Sequence, residues 1–241
     1  MTKCLVLVLG VAAAAFAQPP DIVQPASPVI IGCIGDSITQ GVGASAQAPA
    51  CAQLPKFLNK FGYVTSEFSS VNVGISGTTS ADWATGSTLR TAMATMAAGK
   101  VNVVQIMLGT NDSKVAVATS QAAYSSNLQT IINTLKAAGF NRIILHQPIY
   151  ISQNAGQWDV VSSNELLVQY GAAVTALAGA DPVHVFDGDH LGYKWFQQNP
   201  GDSADGIHPN DNGHVSLGFL WALAYSDSFL RSGLRPIERR R

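Results

Sequence analysis

The sequence predicts a three-layer α/β/α sandwich built on a mainly parallel, five-stranded sheet. Short apolar runs alternate with longer stretches of helical spacing along the whole chain, which is the signature of strand–helix repetition. The runs are continuous rather than alternating, as strands buried on both faces require. Loops rich in Gly, Ser, Asn and Asp follow several of these runs, and in open sheets of this kind ligands bind outside the carboxyl ends of the strands.

The first segment precedes that pattern. Lys3 stands before an apolar run from Cys4 to Ala15 that ends in Ala15-Phe16-Ala17, which reads as a secretory signal peptide over residues 1–17, with the mature chain starting near Gln18. The run is shorter than the roughly 20 residues that span a bilayer; an uncleaved anchor is the alternative. The apolar stretch at 217–224 is also too short, so no stable membrane anchoring is expected. Residues 18–234 then form one domain, and residues 235–241 form a basic tail that is either an anion-seeking patch or a solvated end.

Strands are predicted at residues 29–34, 71–73, 101–108, 142–146 and 183–186, and helices at 54–61, 81–98, 120–138, 163–178 and 212–230. Gly139 suits the left-handed position that ends the third helix, and Asn210 or Asp211 suits the N-cap of the last. Within the first strand lies Cys33, and Cys51 follows in the next helical region. In an oxidising compartment these two would pair, closing a loop around the residues after the first strand; otherwise Cys33 is a buried thiol. A net charge of −1 with 12% charged residues argues against an electrostatic grip on nucleic acid or anionic membrane. A monomer is expected.

The loops carry the chemistry. After the first strand comes Gly35-Asp36-Ser37-Ile38-Thr39-Gln40-Gly41, in which Ser37 either projects its hydroxyl from a tight turn or serves with Asp36 as a helix cap. After the second comes Asn72-Val73-Gly74-Ile75-Ser76-Gly77. Its Gly74 could lend a backbone N–H to an oxyanion or merely form a turn, and its Ser76 is a rival nucleophile by position. After the third comes Gly109-Thr110-Asn111-Asp112, where the Asn111 amide could donate to an oxyanion or close an Asx-turn. Asn111-Asp112-Ser113 is also the only N-glycosylation sequon, and a catalytic asparagine there would stay unmodified.

A general base must be a histidine, and Asp-x-x-His occurs four times, ending at His184, His190, His208 and His214. His184 falls in a predicted strand as a packed core residue, and His214 falls in the first turns of the last helix as a satisfied polar residue. His190 follows the last strand as a possible ligand contact. His208 stands in Asp205-Gly206-Ile207-His208-Pro209, a turn-rich segment stiffened by Pro209, where Asp205 could orient one ring nitrogen while the other takes a serine proton.

Taken together, Gly35-Asp36-Ser37, Asn72-Val73-Gly74, Gly109-Thr110-Asn111-Asp112 and Asp205-Gly206-Ile207-His208-Pro209 resemble, in order, the blocks of the SGNH hydrolase superfamily, the GDSL-type esterases and lipases. The first block departs in having Ile38 where the family pattern has leucine. The resemblance implies the flavodoxin-like fold of that superfamily, Ser37 as nucleophile, His208 as base, Asp205 as its orienting acid, and an oxyanion hole from the Ser37 and Gly74 N–H groups and the Asn111 amide. No cofactor or metal is implied, and no Cys/His cluster has ligand spacing. Secretion, low charge and a chain without a lid-like insertion point to a small acyl group, acetate, on carbohydrate, as in the acetylesterases of the superfamily; a lysophospholipase or general lipid esterase and a non-catalytic carbohydrate-binding module are the alternatives. Trp158, Tyr193 and Trp195 could stack on sugar faces or pack the rim of the core.

Overall fold

The computed structural model describes residues 28–45, 49–61, 67–188 and 190–231. The expected signal peptide at 1–17 and basic tail at 235–241 lie outside them. Five strands, β1 (Val29–Gly35), β2 (Phe68–Asn72), β3 (Val103–Met107), β4 (Ile143–His146) and β5 (Val185–Asp187), form one sheet in the order β2-β1-β3-β4-β5. Every pairing is parallel.

Strand period divides the core in two. On β3, Val104 and Ile106 face one cluster while Val103 and Met107 face the other, and on β4 Ile143 and Leu145 oppose Ile144 in the same way. The first cluster is covered by α3 (Ser80–Ala84), α4 (Ser87–Ala98), α5 (Gln121–Ala137) and α6 (Val160–Ala180). The second is covered by α1 (Ser37–Gln40), α2 (Ala50–Lys60), α7 (Leu191–Gln198) and α8 (Asp211–Arg231). Both faces of the sheet are thus buried at β1, β3 and β4, which is why these strands read as near-continuous apolar runs, whereas the edge strand β2, Phe68-Ser69-Ser70-Val71-Asn72, does not.

Several boundaries differ from expectation for identifiable reasons. The helix expected at 81–98 is two helices, because Gly86 takes φ +106° between them, a left-handed conformation that glycine adopts without strain. Thr79 caps α3 in a reciprocal box with Asp82. α5 begins after Ser120, whose side chain accepts from the Ala123 N–H, and Gly139 beyond its end has φ +92°. Asn210 caps α8 by accepting from the Gly213 N–H at 3.0 Å.

The last strand starts later than expected, at Val185, because residues 181–185 turn through a Val185 N–H to Asp181 carbonyl bond of 2.9 Å. Val183 is consequently 72% exposed. His184 is therefore not a core histidine: its Nδ1 meets Asp181 Oδ1 at 2.8 Å, and Lys136 pairs with the other oxygen of that carboxylate.

Cys33 and Cys51 form a disulfide with Cα atoms 6.2 Å apart, tying β1 to α2 across a sequence separation of 18. Gln105 on β3 donates to Cys33 Sγ at 3.2 Å. Closing a loop of that length restrains the unfolded chain by about 3 kcal/mol in the chain-entropy treatment. The Cys33→Ser/Cys51→Ser double variant is expected to be less stable by about that amount, measured as a drop in the urea midpoint that dithiothreitol reproduces in the parent protein and not in the variant.

Candidate active site

β1 pairs with β2 on one side and with β3 on the other, so the chain reverses its direction of winding at β1 and β3. A crevice opens at the carboxyl ends of strands at such a point, and the loops carrying Ser37 and Asn111 leave β1 and β3 there.

Ser37 is the first residue of α1, and Asp36 is its N-cap, accepting from the Ile38 N–H at 3.0 Å. The two readings of this segment are therefore both realised: Asp36 caps, and Ser37 projects. As first helical residue, Ser37 has an N–H that the helix itself leaves without a carbonyl partner. Asp36 is fully buried, and burial pushes its pKa up to about 6.

His208 Nε2 lies 2.9 Å from Ser37 Oγ, and His208 Nδ1 lies 2.8 Å from Asp205 Oδ2. The other carboxylate oxygen, Oδ1, accepts from the Ile207 and His208 N–H groups at 2.9 and 2.7 Å. Partial burial works to raise the Asp205 pKa, but the bonds from the His208 ring and from these backbone groups outweigh it and leave the carboxyl below its usual range. A tight loop holds the pair. The His208 carbonyl accepts from the Ala204 N–H at 2.7 Å and from the Ser203 hydroxyl at 3.1 Å, and a Cβ at Gly206 would meet Gln153 Cγ at 2.1 Å.

Asn111, 3% exposed, donates from Nδ2 to the Thr78 carbonyl at 3.0 Å. The amide carries a second N–H on that nitrogen. Burial also leaves no room for a glycan on the sequon. Gly74 departs from expectation. Its N–H donates to Asn72 Oδ1 at 2.9 Å, an Asx-turn, so it is not a free oxyanion donor in this structure. Gly74 is needed for space as well, since a Cβ there would meet the Gln40 backbone nitrogen at 2.5 Å. Ser76 makes its backbone bond to Gln40 Oε1, and among the described residues no histidine or carboxylate meets its hydroxyl.

The expected substrate contacts fare unevenly. Tyr193 is 8% exposed and packs edge-on against Tyr150 at 5.5 Å, so it belongs to the core. Tyr193 lies on the buried face of α7, a short helix that the apolar spacing does not predict. Trp195, on the same helix, is 37% exposed and donates from Nε1 to Asp202 at 2.7 Å. Trp158 donates to the Thr110 carbonyl at 2.7 Å beside Asn111, and Lys114 Nζ sits 4.9 Å from its ring centroid. One ring face therefore already holds a cation. His190 meets Thr175 of α6 at 3.2 Å, and no hydrogen bond links it to Ser37, Asn111 or His208.

His214 was expected to be a satisfied polar residue, and it is a clamp. Fully buried, it accepts at Nδ1 from the Ala50 N–H at 3.3 Å and lies with Nε2 3.1 Å from the Val42 carbonyl. It thereby fastens the segment after Ser37 to α8, reinforced by the Ser45 N–H on Asp211 at 2.6 Å. Only the neutral ring can accept at Nδ1 while donating at Nε2. Desolvation lowers its pKa, and burial takes that of His146 on β4 down to about 3. Each folded-state value lies below the unfolded one, so the stabilisation is present above pH 6.5. It is lost as pH falls from there through the folded values, by about 1.4 kcal/mol per unit for each histidine. Thermal midpoints measured from pH 7 to pH 4 should fall, and His214→Gln, less stable at pH 7, should show the shallower decline.

Residues 33–215 match the GDSL-like lipase/acylhydrolase family. No curated protein matches the chain. Among solved structures, it is similar to a lipase/acylhydrolase from Enterococcus faecalis, at 23% identity and TM-score 0.61 over 87% of this chain and 99% of that one. An acetylxylan esterase from Geobacillus stearothermophilus is similar at 21% identity and TM-score 0.61, over 89% and 98%. A carbohydrate acetylesterase from Sinorhizobium meliloti is similar at 18% identity and TM-score 0.59, over 84% and 99%. These likenesses carry the fold, whereas the family match runs from β1 through the loop of Asp205 and His208 into α8, and on that ground the chain belongs to the GDSL-like lipase/acylhydrolase family of carboxylic ester hydrolases.

Proposed function

We propose that this chain is a secreted serine esterase that removes small acyl groups, acetyl foremost, from carbohydrate through an acyl-enzyme on Ser37. The observation that carries the serine mechanism is the continuous relay Ser37 Oγ, His208 Nε2, His208 Nδ1, Asp205 Oδ2, with both distances under 3 Å. His208 takes the hydroxyl proton as Ser37 attacks the ester carbonyl, and Asp205 stabilises the imidazolium that forms. The oxyanion is met by the Ser37 N–H and the second N–H of Asn111; the Gly74 N–H joins them only by turning from Asn72. The alcohol leaves with the proton from His208, and water, activated by the same nitrogen, releases the acid.

Support for acetylated carbohydrate is of a different kind. Two of the similar structures are named for acetylated carbohydrate substrates, and Trp195 offers an exposed ring for stacking. Secretion rests on the residues 1–17 pattern and on the Cys33–Cys51 bond, which suits an oxidising compartment. Acetate release from acetylated xylan, pectin, chitin fragments and sialic acid, alongside rates on p-nitrophenyl esters of rising chain length, tests the proposal. A rate maximum at acetate with release from one of the carbohydrates is expected. A maximum at long chains would make the protein a lipid esterase or lysophospholipase instead.

A further inference from the structure

A buried carboxylate next to Asn111 has no role in the relay. Asp112 is 0% exposed, and no lysine, arginine or histidine pairs with it among the described residues. It is held by Ser80, whose N–H donates to Oδ2 at 2.9 Å and whose hydroxyl donates to Oδ1 at 2.5 Å. The Ser80 oxygen in turn accepts from Asn127 Nδ2 of α5 at 2.9 Å. Desolvation raises the Asp112 pKa, opposed foremost by the Ser80 bonds and then by the Thr119 side chain. An ionised group with no cation nearby is costly to bury; Thr79 accepts from the Asp82 N–H of α3, and Asp112 takes the first N–H of that helix, from Ser80.

Two residues before Ser80 stands Thr78, whose carbonyl accepts from Asn111 Nδ2 at 3.0 Å. Its hydroxyl is fixed from the other side, accepting from Trp83 Nε1 at 2.9 Å and donating to the Ile75 carbonyl at 2.8 Å. Asn111 and Asp112 are neighbours on the loop after β3, and Thr78 and Ser80 are near-neighbours on the segment entering α3. Three bonds therefore join the same two loops, one at Thr78 and two at Ser80, and close a ring. The Thr78 carbonyl decides which end of the Asn111 amide lies where, because only the NH₂ end can meet it. With the amide reversed, its oxygen would confront a developing oxyanion.

We infer that Asp112 is a positioning residue for ester hydrolysis: through Ser80 it holds the Thr78 carbonyl that fixes the orientation of the Asn111 amide. The inference rests on Asn111 being an oxyanion donor, as proposed above. Because Asp112 acts through Asn111, its removal cannot lower kcat further than removal of Asn111 itself does.

A double-mutant cycle on the full chain tests this. Asn111→Ala is expected to lower kcat by roughly 10²- to 10³-fold, the usual effect of losing one oxyanion donor. Asp112→Asn keeps the volume but turns an N–H toward a Ser80 oxygen that already accepts from Asn127. It should lower kcat by roughly ten- to a hundredfold, within that ceiling, with KM within about twofold because ground-state binding is untouched. Added to Asn111→Ala, it should lower kcat by less than about twofold, since the pathway it serves is gone. Ser80→Ala, which removes the hydroxyl bond to Asp112 and the acceptor of Asn127 but keeps the Ser80 N–H on Asp112, should follow the same pattern with a smaller effect and serves as the decisive pair if Asp112→Asn does not fold. All rates are taken well below the thermal midpoint of each variant. Multiplied losses in the double variants, or a kcat unchanged in the folded single variants, overturn the inference while leaving the serine mechanism intact. An unchanged kcat in Asn111→Ala removes the oxyanion reading and the inference with it.

Discussion

Ser37→Ala should lower kcat by roughly 10⁴- to 10⁶-fold while leaving the fold in place. The hydroxyl is the attacking group in the proposed mechanism, and Ser76 does not stand in for it, because among the described residues no histidine or carboxylate meets the Ser76 hydroxyl. The structural cost is small. The Ser37 hydroxyl is engaged with His208, alanine is a good helix former at the start of α1, and Asp36 caps the helix through Ile38 whichever residue stands at 37. Thermal denaturation should match the parent to within about 1 kcal/mol, and covalent labelling by an organophosphonate ester should vanish. A variant that still hydrolyses esters in a preparation free of contaminating esterase would remove Ser37 from the mechanism. Absence of labelling in the parent protein would favour a non-catalytic carbohydrate-binding module.

Asp205→Asn is expected to lower kcat by about 10⁴-fold, and the reason is the position of one proton. The Asp205 Oδ1 atom accepts two backbone N–H bonds, which an asparagine oxygen can keep, so the turn survives. The amide nitrogen would then face His208 Nδ1, where the carboxylate now sits at 2.8 Å. An N–H there makes Nδ1 the acceptor and places the ring proton on Nε2, directed at Ser37. In that tautomer His208 cannot take the serine proton. KM should change little, and the circular dichroism spectrum should not change. A loss of less than tenfold would show that Asp205 does not govern the His208 tautomer.

How far the sequence reveals this site depends on which physical signal each part leaves in it. Strand interiors are legible because burial on both faces demands unbroken apolar runs, and the strands predicted at 29–34 and 142–146 lie within a residue of β1 and β4. Ser37, Asn111, Asp205 and His208 are legible because each follows or precedes an element at a fixed place. The break between α3 and α4 is hidden, since Trp83, Leu89, Ala92 and Met96 continue to supply apolar contacts across it. The bond between Gly74 and Asn72 is hidden as well: a side chain two residues back competes for an N–H that spacing alone leaves open. The roles of Tyr193 and Trp195 turn on which face of α7 each occupies, and that is settled by packing. Asp112 and Ser80 meet across 32 positions, with the Thr79-Ser80-Ala81-Asp82 capping box as the only local sign that this segment is fixed.

The Ser37–His208 contact joins residues 171 positions apart, and β2, β3, β4 and β5 all lie within that span, with β1 at its edge. Contacts of such long range are closed late, after the loop entropy between them has been reduced by nearer pairings. Under the proposed serine mechanism, turnover in this chain is therefore a reporter of completed folding. Helical and sheet signals can recover in a refolding chain, or accumulate on a ribosome, while the serine still lacks its base, and hydrolysis begins only when the loop before α8 arrives. On that mechanism a nascent chain, or one cut before Asp205, is kept chemically silent without any separate inhibitory segment.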